Sequence, residues 1–133
     1  PNGIGLSPDE KELFVAETPT GRLWAYPLAG PGKVDSGKTR RLLNGRQGFY
    51  MFDSLAVDAN GDVCVATLMD GGITTLCAAD GEPSFVPMPD RVTTNICFGG
   101  PDLKTAFITL SSTGLLVSCD WPVAGLPLNF LNH

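Results

Sequence analysis

Three β-propeller blades are the fold this sequence predicts, and three observations predict it. Gly (16 residues) and Pro (11 residues) punctuate a chain of 133 residues that is 43% apolar and only 17% charged, a globular composition with frequent turns. No segment sustains a 3.6-residue apolar period, so helices have no signal. One strand–turn–strand pattern recurs three times, with equivalent positions at Val15, Val65 and Ile108. That is a period of about 40 to 50 residues, the length of a four-stranded blade.

The first repeat opens with Asn2-Gly-Ile-Gly-Leu-Ser-Pro-Asp9 and continues with Glu12-Leu-Phe-Val-Ala16. The second opens with Asp53-Ser-Leu-Ala-Val-Asp58, turns at Ala59-Asn-Gly61 and continues with Asp62-Val-Cys-Val-Ala66. The third runs from Thr94-Asn-Ile-Cys-Phe-Gly-Gly100 through the turn Pro101-Asp-Leu103 to Thr105-Ala-Phe-Ile-Thr109. Short apolar runs on either side of Gly/Asp/Pro turns are hairpin signals. A third strand follows each hairpin, at Arg22–Tyr26, Gly72–Cys77 and Gly114–Cys119. A fourth follows the first two, at Thr39–Leu43 and Ser84–Pro87. After Cys119 the Pro-containing path through Trp121-Pro122 and Leu126-Pro127 offers no fourth strand to the third repeat. The expected blades are residues 1–50, 51–92 and 93–133. A single β-sandwich would explain the strands but not their recurrence.

Propellers close with about four or more blades. Three would leave inner faces and two blade edges open, so the fold expects completion by further N-terminal blades or by a second copy of the chain, a homodimer.

Composition excludes several functions. The formal net charge is −5, and Lys38, Arg40 and Arg41 form the one tight basic cluster. No basic stripe follows a phosphate backbone, so nucleic acid is not an expected partner. No apolar run approaches the roughly 18 residues of a membrane helix. Cys64, Cys77, Cys97 and Cys119 form no C-x-x-C pair, and three of them lie in apolar strand-like runs. They read as buried free thiols, which suits a reducing, cytoplasmic compartment. Gly32-x-x-x-x-Gly37-Lys38-Thr39 fits the phosphate-loop expression. A phosphate loop needs a strand before it and a helix after it, and the surrounding Pro and Gly residues predict a surface loop. Asp58-Ala-Asn-Gly-Asp62 resembles the start of an EF-hand loop, but Met69 stands where the bidentate Glu belongs. The single histidine is His133, the last residue, so a Ser or Cys triad has no base. Proton transfer then falls to carboxylates or to metal-bound water.

Asn2, Asp53 and Thr94 hold equivalent positions at the starts of the three inner strands. In a propeller these strands line the central channel, so the three side chains are expected to converge at one of its ends. An amide, a carboxylate and a hydroxyl are hard oxygen donors that suit Ca²⁺ or Mg²⁺. The same residue types also cap strands and turns locally, without any ligand.

These motifs resemble those of the gluconolactonase, senescence-marker-protein (regucalcin) and luciferin-regenerating-enzyme family. Pro1-Asn2-Gly3 through Ser7-Pro8-Asp9 resembles its "PNG…SpD" signature. Phe52-Asp53-Ser54-Leu-Ala-Val-Asp58, followed by Asn60-Gly61, resembles its "DG" element, with Ser54 replacing Gly. Thr94-Asn95 through Gly99-Gly100 resembles its "TN-x-x-FGG" element. The resemblance implies a six-bladed propeller of which this chain is the C-terminal half. It implies one divalent metal ion, Ca²⁺ first and Zn²⁺, Mn²⁺ or Mg²⁺ as options, and hydrolysis of a sugar lactone or similar cyclic ester. Asn2 and Asp53 map onto family metal ligands, and Asp53 would also orient or deprotonate the attacking water. The family's ligating Glu, and an Asn and an Arg that contact substrate, fall in blades this chain lacks. The alternative expectation is a non-catalytic half-propeller, a binding or structural module completed by self-association.

Overall fold

The computed structural model describes residues 1–43, 50–79 and 81–130, which hold twelve strands and no helix. His133, Gly45 and Gly48 lie outside the described residues. The strands form three antiparallel sheets in chain order. The first contains β1 (Ile4–Leu6), β2 (Glu12–Glu17) and β3 (Arg22–Gly30), with β4 (Lys33–Val34) and β5 (Arg41–Leu43) both paired to β3. The second is β6 (Met51–Val57), β7 (Val63–Leu68), β8 (Gly72–Leu76) and β9 (Ser84–Pro87). The third is β10 (Thr93–Gly99), β11 (Thr105–Leu110) and β12 (Leu115–Asp120).

Period-2 alternation decides which side chains enter which core. Phe14 and Ala16 of β2 and Leu23 and Ala25 of β3 face the second sheet, where they meet Phe52, Val63, Val65 and Leu76. The other face of the second sheet sends Cys64, Ala66 and Ile73 against Ile96, Ala106, Ile108 and Leu110 of the third. The middle sheet is therefore covered on both sides, and Val63-Cys64-Val65-Ala66 is buried without a break. A continuous apolar run is what a doubly covered strand requires. Each large side chain buried this way contributes about 1.5–3 kcal/mol.

The same turn recurs in each sheet. Glu10, Gly61 and Leu103 have positive φ values of 55°, 86° and 56°. Their N–H groups donate to Ser7, Asp58 and Gly100 carbonyls at 2.9, 3.0 and 3.3 Å. The left-handed conformation is costly for Glu10 and Leu103 and free for Gly61, yet the hairpin geometry is shared. The three repeats thus agree in backbone conformation as well as in sequence pattern.

Two local expectations change. First, β3 runs past Tyr26 to Gly30 and folds back onto β4. Pro27 is tolerated there because the strand needs only its carbonyl, which accepts the Asp35 N–H at 2.8 Å. The segment Gly32–Thr39 is accordingly a hairpin arm and an Asp35-centred turn with Gly37 N–H on Asp35 Oδ1 at 3.0 Å, and no helix follows it. Second, only Cys64 is buried, whereas Cys77 is half-buried and Cys97 and Cys119 are exposed. Cys97 alternates with the buried Ile96 and so points off the uncovered face of the third sheet. Cys119 lies on β12, the edge strand. All four thiols are free. As expected, the segment after β12 forms no strand and pairs by single contacts. Trp121 N–H reaches Lys104 O at 2.7 Å, Gly125 N–H reaches Leu103 O at 2.9 Å, and Leu126 N–H reaches Val57 O at 2.9 Å. Asn129 Nδ2 donates to Glu10 Oε1 at 2.8 Å. This strap ties the β1–β2, β6–β7 and β10–β11 turns together at one end of the inner strands.

At the other end, Asp90 joins the second sheet to the third. Its carboxylate accepts the Val92 N–H at 2.8 Å and the Thr113 N–H and hydroxyl at 2.9 and 2.8 Å. The Val92 amide, helped by Thr113, holds the carboxyl at about 2, below its ordinary 3.8. A depressed folded pKa contributes stability above the unfolded value that is lost as pH falls through the folded one. Urea melts between pH 4 and pH 2 are therefore expected to show a steep loss of stability in the wild type and a shallower one in Asp90→Asn. Identical slopes would show that Asp90 does not carry this acid limb.

Candidate functional site

The inner strands β1, β6 and β10 begin at the end remote from the strap, and that is where the three sequence-selected residues sit. Each lies at a break in strand pairing. Asn2 N–H donates to Ala16 O at 2.8 Å while Ala16 N–H donates to Gly3 O at 2.9 Å, so two residues oppose one. The β6–β7 register slips between Phe52 and Leu55, across Asp53 and Ser54. The β10–β11 register slips between Thr93 and Asn95, at Thr94. Bulges of this kind turn a side chain out of the strand's alternation and re-aim it.

Gly3 explains how the first two positions meet. Its N–H donates to Asp53 O at 3.1 Å, joining β1 to β6 through the backbone. A Cβ on residue 3 would lie 2.6 Å from that oxygen and 2.9 Å from Leu55 N. Only glycine permits this approach. The consequence is a direct side-chain contact, with Asn2 Nδ2 donating to Asp53 Oδ1. Asp53 is half-buried, and desolvation raises its pKa above 3.8. A partly desolvated carboxylate facing an amide favours a cation, which would reverse that shift.

Thr94 makes its contacts within the β10–β11 hairpin. Its hydroxyl lies 2.8 Å from Thr109 Oγ1 and 3.2 Å from Ser111 Oγ, partners within its own sheet. The structure joins Asn2 to Asp53 directly and bonds Thr94 to Thr109 and Ser111. Sequence reasoning missed Gly3, Thr109 and Ser111. The strand-end positions of Thr109 and Ser111, opposite Thr94 in the hairpin, were the available signal.

Two residues beyond Asn2, Asp53 and Thr94, the residues Ile4, Leu55 and Ile96 line one groove of about 510 Å³ together with Leu126 and Leu128 of the strap. The donor set at the start of the inner strands is small. Among the described residues no group of three or more His, Cys, Asp or Glu side chains could hold a metal ion. Asn2 and Asp53 fit a hard cation as two oxygen donors of the roughly six to eight that Ca²⁺ takes. The remaining acids and thiols are poorer candidates. Burial pushes the Cys64 thiol up to about 12, so it is no nucleophile near neutrality.

These features define a class: an all-β array of antiparallel sheets with a carboxylate–amide pair at one pole of its inner strands. The family follows from comparison with known proteins. The SMP-30/Gluconolactonase/LRE-like region matches residues 1–112, and the chain belongs to that family. It is 33% identical over 129 residues to a 6-deoxy-6-sulfogluconolactonase of Pseudomonas putida, covering 93% of this chain and 43% of that protein. It is 28% identical over 126 residues to a diisopropyl-fluorophosphatase of Loligo vulgaris, covering 91% of this chain and 40% of that protein. A solved luciferin-regenerating enzyme shares the fold with a TM-score of 0.79 and 21% identity, over 96% of this chain and 48% of the enzyme. The chain thus spans less than half the length of each.

Proposed function

We propose that the chain is the C-terminal half of a six-bladed, metal-dependent lactonase propeller, with blades at residues 1–50, 51–92 and 93–133. The observation that carries this reading is the Asn2–Asp53 pair, built by the Gly3–Asp53 backbone bond and partly desolvated. The sulfogluconolactonase relative, by its name, supports a sugar lactone as substrate. Apolar surface supports the missing blades. Val15, Trp24 and Tyr26 lie on the face of the first sheet turned away from the second, with Leu42 48% exposed beside them. Phe107 and Leu116, 36% and 67% exposed, lie on the corresponding face of the third. Four free thiols suit a cytoplasmic setting. No helix among the described residues is long and apolar enough to cross a membrane.

In this reading Asp53 and Asn2 hold Ca²⁺, together with a carboxylate from outside this chain. The bound ion would supply Lewis-acid polarisation of the lactone carbonyl and stabilise the developing oxyanion. Asp53 orients the attacking water and accepts its proton. The water oxygen bonds to the carbonyl carbon, the ring C–O bond breaks, and the ring oxygen takes the proton back from Asp53 and leaves as the hydroxyl of a hydroxy acid.

A second reading, a non-catalytic half-propeller completed by a second copy, draws on the small donor set among the described residues. Hydrolysis of D-glucono-δ-lactone by the full-length protein distinguishes them. The rate is expected to fall to background with a chelator and to return with added Ca²⁺, Zn²⁺ or Mn²⁺. A rate indifferent to chelation, or none in any metal, sinks the metal-dependent lactonase.

A further inference from the structure

We propose that Thr94, Thr109 and Ser111 form a recognition subsite for the ring hydroxyls of a cyclic polyol ester. The proposal rests on the lactonase reading and deepens it by naming what the substrate presents.

Thr94 holds in the third sheet the place that Asn2 and Asp53 hold in the first two, and all three lie at breaks in strand pairing. The residues two places further along, Ile4, Leu55 and Ile96, line a common groove. The inner strands β1, β6 and β10 are neighbours that begin at the same end, so the three positions lie at one end of adjacent strands, with the carboxylate–amide pair on two sheets and the hydroxyls on the next. A ring whose carbonyl lies at Asp53 carries its substituents toward this side or away from it, and this side holds neutral hydroxyls.

A cross-strand Thr pair alone is an ordinary feature of sheets. Here Ser111, exposed, adds a third hydroxyl 3.2 Å from Thr94. Each hydroxyl offers one donor and two acceptor sites, so the internal bonds leave capacity unused. Sugar hydroxyls likewise donate and accept. A carboxylate rim could only accept from them and a lysine rim could only donate. The cluster is also held in place. Ser111 N–H donates to Val92 O at 2.8 Å, and Asp90 fixes Thr113 two residues on. Rigid groups lose little freedom when they bind.

The test compares D-glucono-δ-lactone with δ-valerolactone, which has the ester ring and no hydroxyls. In the full-length protein, Thr94→Val and Ser111→Ala are each expected to lower the ratio of kcat/KM for the sugar lactone over δ-valerolactone by roughly three- to tenfold, mostly through KM. Ser111→Ala, at an exposed position, covers the case in which Thr94→Val does not fold. An unchanged ratio in a folded variant overturns the subsite and leaves the lactonase reading standing. Ligand-observed NMR with 1,5-anhydro-D-glucitol, a polyol ring without an ester, separates the two ideas. Saturation transfer that weakens in Ser111→Ala supports the subsite even where neither lactone is hydrolysed, a result that would overturn the lactonase reading alone. No transfer to the wild type overturns the subsite.

Discussion

Asp53→Ala is expected to lower kcat/KM for a sugar lactone at least about a hundred- to a thousandfold and to abolish Ca²⁺ binding measured by calorimetry in the full-length protein. The variant removes the carboxylate that accepts the Asn2 amide at the start of the inner strands. Asp53→Asn keeps the volume and one oxygen but loses the charge, so it should retain the fold and lose most of the affinity. A pH dependence follows. Desolvation raises the carboxyl above 3.8, so protons compete with the cation from a higher pH than at an exposed aspartate. Ca²⁺ affinity should weaken as pH falls through that raised range. An Asp53→Ala protein that retains wild-type Ca²⁺ affinity would remove this residue from the metal site.

Much of this was legible in the chain because the period-2 pattern and the turn chemistry agree. Ser84–Pro87 is a strand over just the expected residues, and Asn60-Gly61 makes the expected turn with Gly61 at φ 86°. Where the sequence misled, a local rule was overruled by tertiary position. Pro27 reads as a strand end, yet β3 passes through it because only its carbonyl is needed. Cys97 lies in an apolar run, yet it is exposed because only one face of β10 is covered within this chain. The repeat alignment located Asn2, Asp53 and Thr94. It could not show that a bulge re-aims each one, because register is a property of the paired strands. It therefore could not separate Thr94, bonded to Thr109 and Ser111, from the pair that meets. Gly3 shows the same limit: "PNG" reads as a motif, and its reason is a backbone oxygen of a strand fifty residues away.

Phe52→Ala is expected to destabilise the fold by about 3–5 kcal/mol in chemical denaturation. Phe52 is 1% exposed and belongs to the core between the first and second sheets. It is also the residue before Asp53 and the last paired position before the β6 bulge. Removing the ring should loosen the seat of Asp53 relative to β1, so Ca²⁺ affinity should fall along with stability. Ile73→Ala supplies the comparison. Ile73 is fully buried in the other core, between the second and third sheets, and its loss should cost about 2–5 kcal/mol without touching the Asn2–Asp53 contact. Under conditions where both variants remain folded, only Phe52→Ala should weaken Ca²⁺ binding. Equal weakening by Ile73→Ala would mean that the pair depends on overall stability. Selective weakening by Phe52→Ala would mean that packing of the first sheet on the second holds the pair in place, so one interface stabilises the fold and sets the geometry of the site.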